Sequence, residues 1–382
     1  MNKAGNIQSI EAFPMEYRTK GYFKFFTTPL GASGRPAVMI KMTTDTGLVG
    51  WGQSVPISTW SYETLETSVI ALRNYYVPSL IGHPVEDISG AHRIMDKAIR
   101  PGLTTGMPIT RAGIDFALFD IIGKSRDQSV VEILGGKAGG ALDLSWTVNV
   151  RSLDDVEKSV DEGMRLGYKD FNVKVAPDPE YDVQVVKRVR AAAPDAFLWC
   201  DANTGYDLDS ALTAAPQFAD LGVQVFESPM PPSRFRDYQT LAKQGAIDIY
   251  MDEGVISPDV LEEFIHLRML NGLAMKPSRC GGLTSNSRMI DLCLENDLKW
   301  VGSGLCDPDI SLAASLALYR SFSLPTAAVL NGPQFLSETV LKPAFEVVDG
   351  AIALPAGPGL GVEVDENRLQ ELSLRTVKDW KL

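Results

Sequence analysis

The sequence predicts a closed (β/α)8 barrel, an α/β fold, preceded by an α+β domain and followed by a short return segment. Three observations carry this. From residue 142 onward, short apolar strands alternate with amphipathic helices at a spacing of about 25 residues. Before residue 135, strands come first and separate helices follow. Five successive strands of the repeat end on a charged residue, which places those charges on one rim. The expected divisions are 1–135 for the α+β domain, 136–345 for the barrel and 346–382 for the segment returning to the first domain.

In the first part, PAVMIKMTTDTGLVGWGQS at 36–54 alternates apolar and polar residues on both sides of Asp45-Thr46-Gly47. That pattern is a hairpin with its turn. PITRAGIDFALFDIIG at 108–123 opens on a proline and repeats apolar residues at three and four, which reads as a helix stopping near Gly123. The barrel strands are expected at 142–148, 171–175, 197–201, 223–227, 248–252, 272–276, 299–303 and 326–330. LDDVEKSVDEGMRL at 153–166 is typical of the helical stretches between them. An open doubly wound sheet is the alternative, but no glycine-rich phosphate loop follows the first strand.

Composition narrows the function. The chain has 382 residues, is 45% hydrophobic and 22% charged, and is not a disordered sequence. Its net charge of −12 lacks the basic footprint of a nucleic-acid binder. The four cysteines form no CxxC pair, and neither a signal-peptide core nor a bilayer-length apolar run is present. The expectation is a cytoplasmic protein with no membrane or nucleic-acid partner. The three histidines lie at 83, 92 and 266, so no histidine can serve a strand end beyond 266.

The charged strand ends are Lys174, Asp201, Glu227, Asp252 and Lys276, with steps of 27, 26, 25 and 24 residues. Three carboxylates on adjacent strands repel one another unless a cation lies between them. All-oxygen donors without His or Cys favour Mg²⁺, with Mn²⁺ as a substitute. Asp201, Glu227 and Asp252 are therefore the candidate metal ligands; helix capping is the competing role for any one of them. Lys174 and Lys276 flank the trio, one strand to either side. Partly desolvated lysines there can act as acid and base on two faces of one carbon. Ion pairing with neighbouring carboxylates is their competing role.

These residues carry a resemblance. FNVKV, WCDAN, FESP, MDEG and MKPSRCGGLT, in that order, with RAGIDFALFDIIGK and GLVGWGQS earlier, resemble the muconate-lactonizing-enzyme-like branch of the enolase superfamily over nearly the full length. The resemblance implies a modified TIM barrel with an α+β capping domain. It implies Mg²⁺ held by Asp201, Glu227 and Asp252, and Lys174 and Lys276 as the acid/base pair. It implies abstraction of the proton α to a carboxylate to give an enediolate, and a homo-oligomer. The sequence departs from the branch where Lys-x-Lys is common: Asn172-Val173-Lys174 stands there. Cys306 occupies a position where the family often has Glu, and Val329-Leu330-Asn331 replaces the Asp-x-Asp of dipeptide epimerases.

The lid is expected from GYFKFFTTP at 21–29. If that segment is extended, alternate residues face the pocket: Tyr22 and Phe26 with Lys24, or Phe23 and Phe25. Tyr22, Lys24 and Phe26 are the expected contacts. Trp146, Trp60, Asn172 and Asn203 are further candidates, and Asp307 and Asp309 are candidates to meet a substrate ammonium. The expected reaction is Mg²⁺-dependent α-proton abstraction from a small amino-acid-like carboxylate, followed by dehydration or epimerisation. GYFKFFT, WSYETLET, SWTVNV and FNVKVAPDP most resemble cis-3-hydroxy-L-proline dehydratases. The alternatives are an amino-acid-derivative epimerase, a muconate-type cycloisomerase, and a barrel that binds without catalysing.

Overall fold

A computed structural model of the protein describes residues 4–23, 25–26, 34–102 and 105–378. The N-terminal sheet has three antiparallel strands in chain order, β1 (Ile7–Tyr17), β2 (Arg35–Thr44) and β3 (Val49–Ser54). The β2–β3 turn falls at Asp45–Leu48, where Gly47 adopts φ 84° and donates to Thr44 O. The helix Pro108–Arg126 lies across this sheet and is buried through Gly123. Its approach explains GLVGWGQS: a Cβ on Gly52 would stand 1.8 Å from Gly113 O, so only glycine lets helix and strand meet there. No side chain at Met107 caps the helix. The buried Glu63 carboxylate does so instead, accepting from Ile109 N at 2.7 Å, Thr110 N at 2.8 Å and Thr110 Oγ1 at 2.6 Å.

After β4 (Ala141–Asp143) come seven parallel strands in chain order: β5 (Trp146–Val148), β6 (Phe171–Lys174), β7 (Leu198–Asp201), β8 (Val225–Glu227), β9 (Ile249–Met251), β10 (Gly272–Met275) and β11 (Lys299–Gly302). The eighth position is reduced to two bridges. Ala328 pairs with Leu144 and Val329 with Ser303, which closes the ring between its ends. Inside it Trp199, Val225, Tyr250, Ala274, Val301 and Val329 pack together.

The expected first strand at 142–148 divides in two. Residues 141–143 alternate exposed and buried and pair antiparallel with β13 (Ala351–Ala353), which pairs in turn with β12 (Val347–Val348). Only the continuously buried 146–148 joins the barrel. The C-terminal helix Glu366–Val377 docks on β1. There Glu16 N donates to Thr376 Oγ1 at 2.9 Å, and Arg375 reaches Glu16 O at 2.6 Å.

One contact ties the N-terminal region to the barrel rim. Asp115, within the helix 108–126, accepts from Leu283 N at 2.6 Å and from Thr284 Oγ1 at 2.6 Å, so it caps the helix Leu283–Glu295. A Cβ on Gly282 would meet Asp115 Oδ2 at 2.3 Å, which accounts for a glycine in CGGLT. The loop leaving β10 is thereby pinned.

Candidate active site

Strand alternation sets the site. Val173, Cys200, Phe226, Met251 and Met275 pack outward against the helices. Each following residue, Lys174, Asp201, Glu227, Asp252 and Lys276, therefore faces the barrel axis. Register places Lys174 beside Asp201 and Asp201 beside Glu227.

The five groups run in order around the rim as a lysine, three carboxylates and a lysine. Lys174 Nζ pairs with Asp201 Oδ2, and Lys276 Nζ pairs with Asp252 Oδ2 while lying 3.6 Å from Glu227 Oε1. Glu227 Oε2 accepts from Trp199 Nε1 at 2.6 Å. Burial raises the Glu227 pKa well above the ordinary carboxylate range, and the neighbouring Asp201 and Asp252 charges push it the same way. Burial alone would lower the Lys276 pKa; the Asp252 and Glu227 carboxylates outweigh it and hold the proton on.

Two charged residues absent from the sequence reading complete the cluster. Arg279, fully buried against the carboxylate run, pairs its Nη1 with Asp252 Oδ1 at 2.5 Å and its Nη2 with Asp252 O. Glu253 Oε1 accepts from Trp60 Nε1 at 2.9 Å and from Asn203 Nδ2 at 3.1 Å. Asn203 Nδ2 also reaches Asp201 Oδ2 at 3.0 Å, so this predicted residue bridges two carboxylates. Arg279 and Glu253 follow Lys276 and Asp252 closely in the chain, and that adjacency to the strand ends was the available signal.

The cluster bears on the expected metal. Among the described residues, no three His, Cys, Asp or Glu side chains stand together as an ion-binding group. In this arrangement Asp201 pairs with Lys174, and Asp252 with Lys276 and Arg279. The donors nevertheless fit a hard cation. Four carboxylates (Asp201, Glu227, Asp252 and Glu253) face three cations (Lys174, Lys276 and Arg279). The buried Glu227 Oε1 accepts no hydrogen bond.

The lid segment turns the other way from the expected one. Among its described residues Phe26 N donates back to Phe23 O at 3.1 Å, which breaks strand alternation there. Phe26 is buried among Phe23 and Phe335. Tyr22 is 40% exposed and faces the Arg151 guanidinium at 3.8 Å. Phe23 and Phe25 take the place of Tyr22 and Phe26. The Phe23 ring lies 6.0 Å from Lys174 Nζ, and Phe25 stacks on Trp60 at 4.3 Å, with the Trp60 ring 4.9 Å from Lys276 Nζ. Lys24 lies outside the described residues.

Trp146 leaves the site as well. It points out of the barrel, with Nε1 donating to Ser159 Oγ at 3.3 Å and the ring edge-on to Tyr168. Asp309 is buried and committed to Tyr17 OH, Thr339 Oγ1 and Val340 N, at 2.6, 2.5 and 3.0 Å. Asp307 is buried and accepts from Ser315 Oγ at 3.2 Å. Both are committed to partners within the protein rather than placed to meet a substrate ammonium. Cys306 donates its thiol to Asn331 Oδ1 at 2.9 Å, and burial pushes its pKa up to about 12, so it is an inert thiol. Asn172 lies on the interior face, wholly buried.

Comparison with known proteins agrees with this geometry. The family described as Enolase C-terminal domain-like matches residues 154–368, and the mandelate racemase / muconate lactonizing enzyme N-terminal domain matches 26–135. Chloromuconate cycloisomerase CbnB of Cupriavidus necator is 28% identical over 88% of this chain and 91% of its own. N-succinyl-L-Arg/Lys racemase of Bacillus cereus is 25% identical over 90% and 91%. The structure of muconate lactonizing enzyme from Pseudomonas fluorescens complexed with muconolactone superposes with TM-score 0.90 at 23% identity, over 97% of this chain and 99% of that one. With a family match spanning more than half its length, the chain belongs to the enolase superfamily, as an enzyme of the mandelate racemase/muconate lactonizing enzyme type.

Proposed function

We propose that the protein abstracts the proton α to the carboxylate of a small amino-acid-like substrate, using Lys174 and Lys276 from opposite sides. The observation that carries this is the charged rim, in which a lysine stands at each end of a carboxylate run and is ion-paired to its outermost member. Asp201, Glu227 and Asp252 would hold Mg²⁺, which supplies the positive charge that stabilises a carboxylate turning into an enediolate. Lys276 keeps its proton because Asp252 and Glu227 hold it there. When those carboxylates are engaged elsewhere, the burial that remains pulls its pKa down toward that of a base. Phe23, Phe25 and Trp60 wall the mouth and exclude bulk water from the reacting atoms.

The finer reading is dehydration of cis-3-hydroxy-L-proline. In the cis isomer the α-hydrogen and the hydroxyl leave from opposite faces of the ring. A proton acceptor on one side and a proton donor on the other match that stereochemistry. One lysine takes the α-proton, and the other protonates the departing hydroxyl to release water. The resulting enamine rearranges to a cyclic imine. The aromatic wall also gives a secondary ammonium a face to rest on. A second reading, epimerisation of an amino-acid derivative, is favoured by the likeness to N-succinyl-L-Arg/Lys racemase; it uses the same two lysines to exchange a proton between faces.

The test is incubation with cis-3-hydroxy-L-proline and Mg²⁺ in D2O, followed by NMR. Loss of the α-proton signal with appearance of the cyclic imine supports dehydration. Deuterium at the α-carbon with inverted configuration and no imine supports epimerisation. No α-exchange with any amino acid or N-acylamino acid would overturn both.

A further inference from the structure

The barrel mouth has a second wall, opposite the carboxylates, and it is neutral. Thr147 neighbours Asn172 in the β5–β6 register, and Asn331 and Cys306 follow the eighth and seventh strand positions. On this wall Asn331 Nδ2 donates to Thr147 Oγ1 at 3.2 Å, and Cys306 donates to Asn331 Oδ1 at 2.9 Å. On the other side of Asn172, Trp199 is committed to Glu227. Asn172 differs from all of these. It is 0% exposed, shares the interior face with Lys174, and neither its Oδ1 nor its Nδ2 has a hydrogen-bond partner.

A buried amide left unpaired costs about 1–3 kcal/mol per unmet group, so its partner is expected to arrive with a ligand or with water. Its requirement is specific: one acceptor for Nδ2 and one donor for Oδ1. A carboxylate only accepts, and would turn a negative charge toward Oδ1. An ammonium only donates, and would leave Nδ2 unmet. A neutral hydroxyl does both through one atom.

We propose that Asn172 is the specificity residue for a neutral hydroxyl on the substrate, so that the site selects a β-hydroxy monocarboxylic acid over a dicarboxylic or unsubstituted one. This rests on the α-proton-abstraction reading and names its substrate class. Lys174, two residues along on the same face, then stands on the hydroxyl's side of the ring and Lys276 on the α-hydrogen's side.

The experiment measures α-proton exchange in D2O, with Mg²⁺ present, for cis-3-hydroxy-L-proline, L-proline and N-acetyl-L-proline. KM for the hydroxylated acid is expected to be lower than for L-proline by about tenfold or more, the discrimination of a site whose polar group is left unmet by the analogue. Asn172→Leu should bring the two KM values to within about twofold, while Asn172→Ser, which keeps a donor and an acceptor, retains part of the preference. Should neither variant fold, the wild-type preference decides alone. Exchange from L-proline and its hydroxylated form at equal KM overturns the inference and leaves the α-proton reading standing. So does a preference for the N-acetyl compound, or inhibition by a dicarboxylate such as muconate that is tighter than binding of the hydroxy acid. A hydroxyl preference that survives Asn172→Leu assigns a structural water only to Asn172 and equally overturns it. Exchange from none of the three removes both the reading and the inference.

Discussion

The two halves of the barrel mouth are built from opposite materials. From β6 to β10 every inward strand end is a titratable group, three carboxylates flanked by two lysines, and each lysine pairs with the outermost carboxylate on its side. From the seventh strand position around to β5, the corresponding residues are Cys306, Asn331 and Thr147, and only neutral hydrogen bonds connect them. A charged half can bind a cation and move protons. A neutral half can do neither, and is suited to choosing a substrate by shape and hydrogen bonding. Chemistry is thus assigned to the charged strand ends, and selectivity to the neutral wall and Asn172, which adjoins it on β6 beside Thr147, so substitutions on each should change different kinetic constants.

The largest effects are expected on the charged arc. Lys276→Ala and Lys174→Ala should each lower kcat by a factor on the order of 10³ or more with KM changed little, because each removes a proton-transfer group. Steady-state kinetics check this, and a loss confined to KM would break the division. Next comes the cation. Asp201→Asn should weaken Mn²⁺ binding, measured by titration calorimetry, by about tenfold or more, and a chelator should abolish turnover reversibly. Full activity after exhaustive chelation would contradict the assignment.

A smaller effect is expected at the lid. Trp60→Phe keeps the ring beside Lys276 but removes the donor to Glu253. KM should rise several-fold, by the order of one hydrogen bond to a charged group, with kcat retained. A control lies away from the mouth. Burial raises the Glu63 pKa to about 7, against 4.5 in its ordinary state. A raised carboxyl pKa means its contribution to stability is complete below about 4.5 and is lost as pH rises through about 7. The full loss is on the order of 3 kcal/mol. Glu63→Gln should flatten that part of the Tm-against-pH curve without altering the pH profile of kcat.

The charged arc was legible because strand alternation and a repeat of about 25 residues place charges by arithmetic: Lys174, Asp201, Glu227, Asp252 and Lys276 needed no tertiary information. The lid was not legible in the same way. Its aromatic cluster is plain in GYFKFF, but a turn at Phe23–Phe26 exchanges Phe23 and Phe25 for Tyr22 and Phe26, and nothing local in the sequence announces that turn. Asp307 and Asp309 looked like binding groups because they follow a strand. Asp309 is taken up by Tyr17 and Thr339 from elements outside its own helix, and Asp307 by Ser315 in the helix that follows it. Trp146 illustrates the same limit: a residue near a strand's start can face either side, and register with outward-packed Phe171 decides it.

The central claim is that two lysines act on opposite faces of one α-carbon, and the most direct test is deuterium exchange from each enantiomer of proline by the two lysine variants. With the carboxylate and ring held alike in both enantiomers, the α-hydrogen of the L-enantiomer faces Lys276 and that of the D-enantiomer faces Lys174. Lys276→Ala should lose exchange from L-proline and keep it from D-proline, and Lys174→Ala should do the reverse. If one variant loses exchange from both enantiomers while the other loses neither, a single base serves the site and the two-face account is wrong.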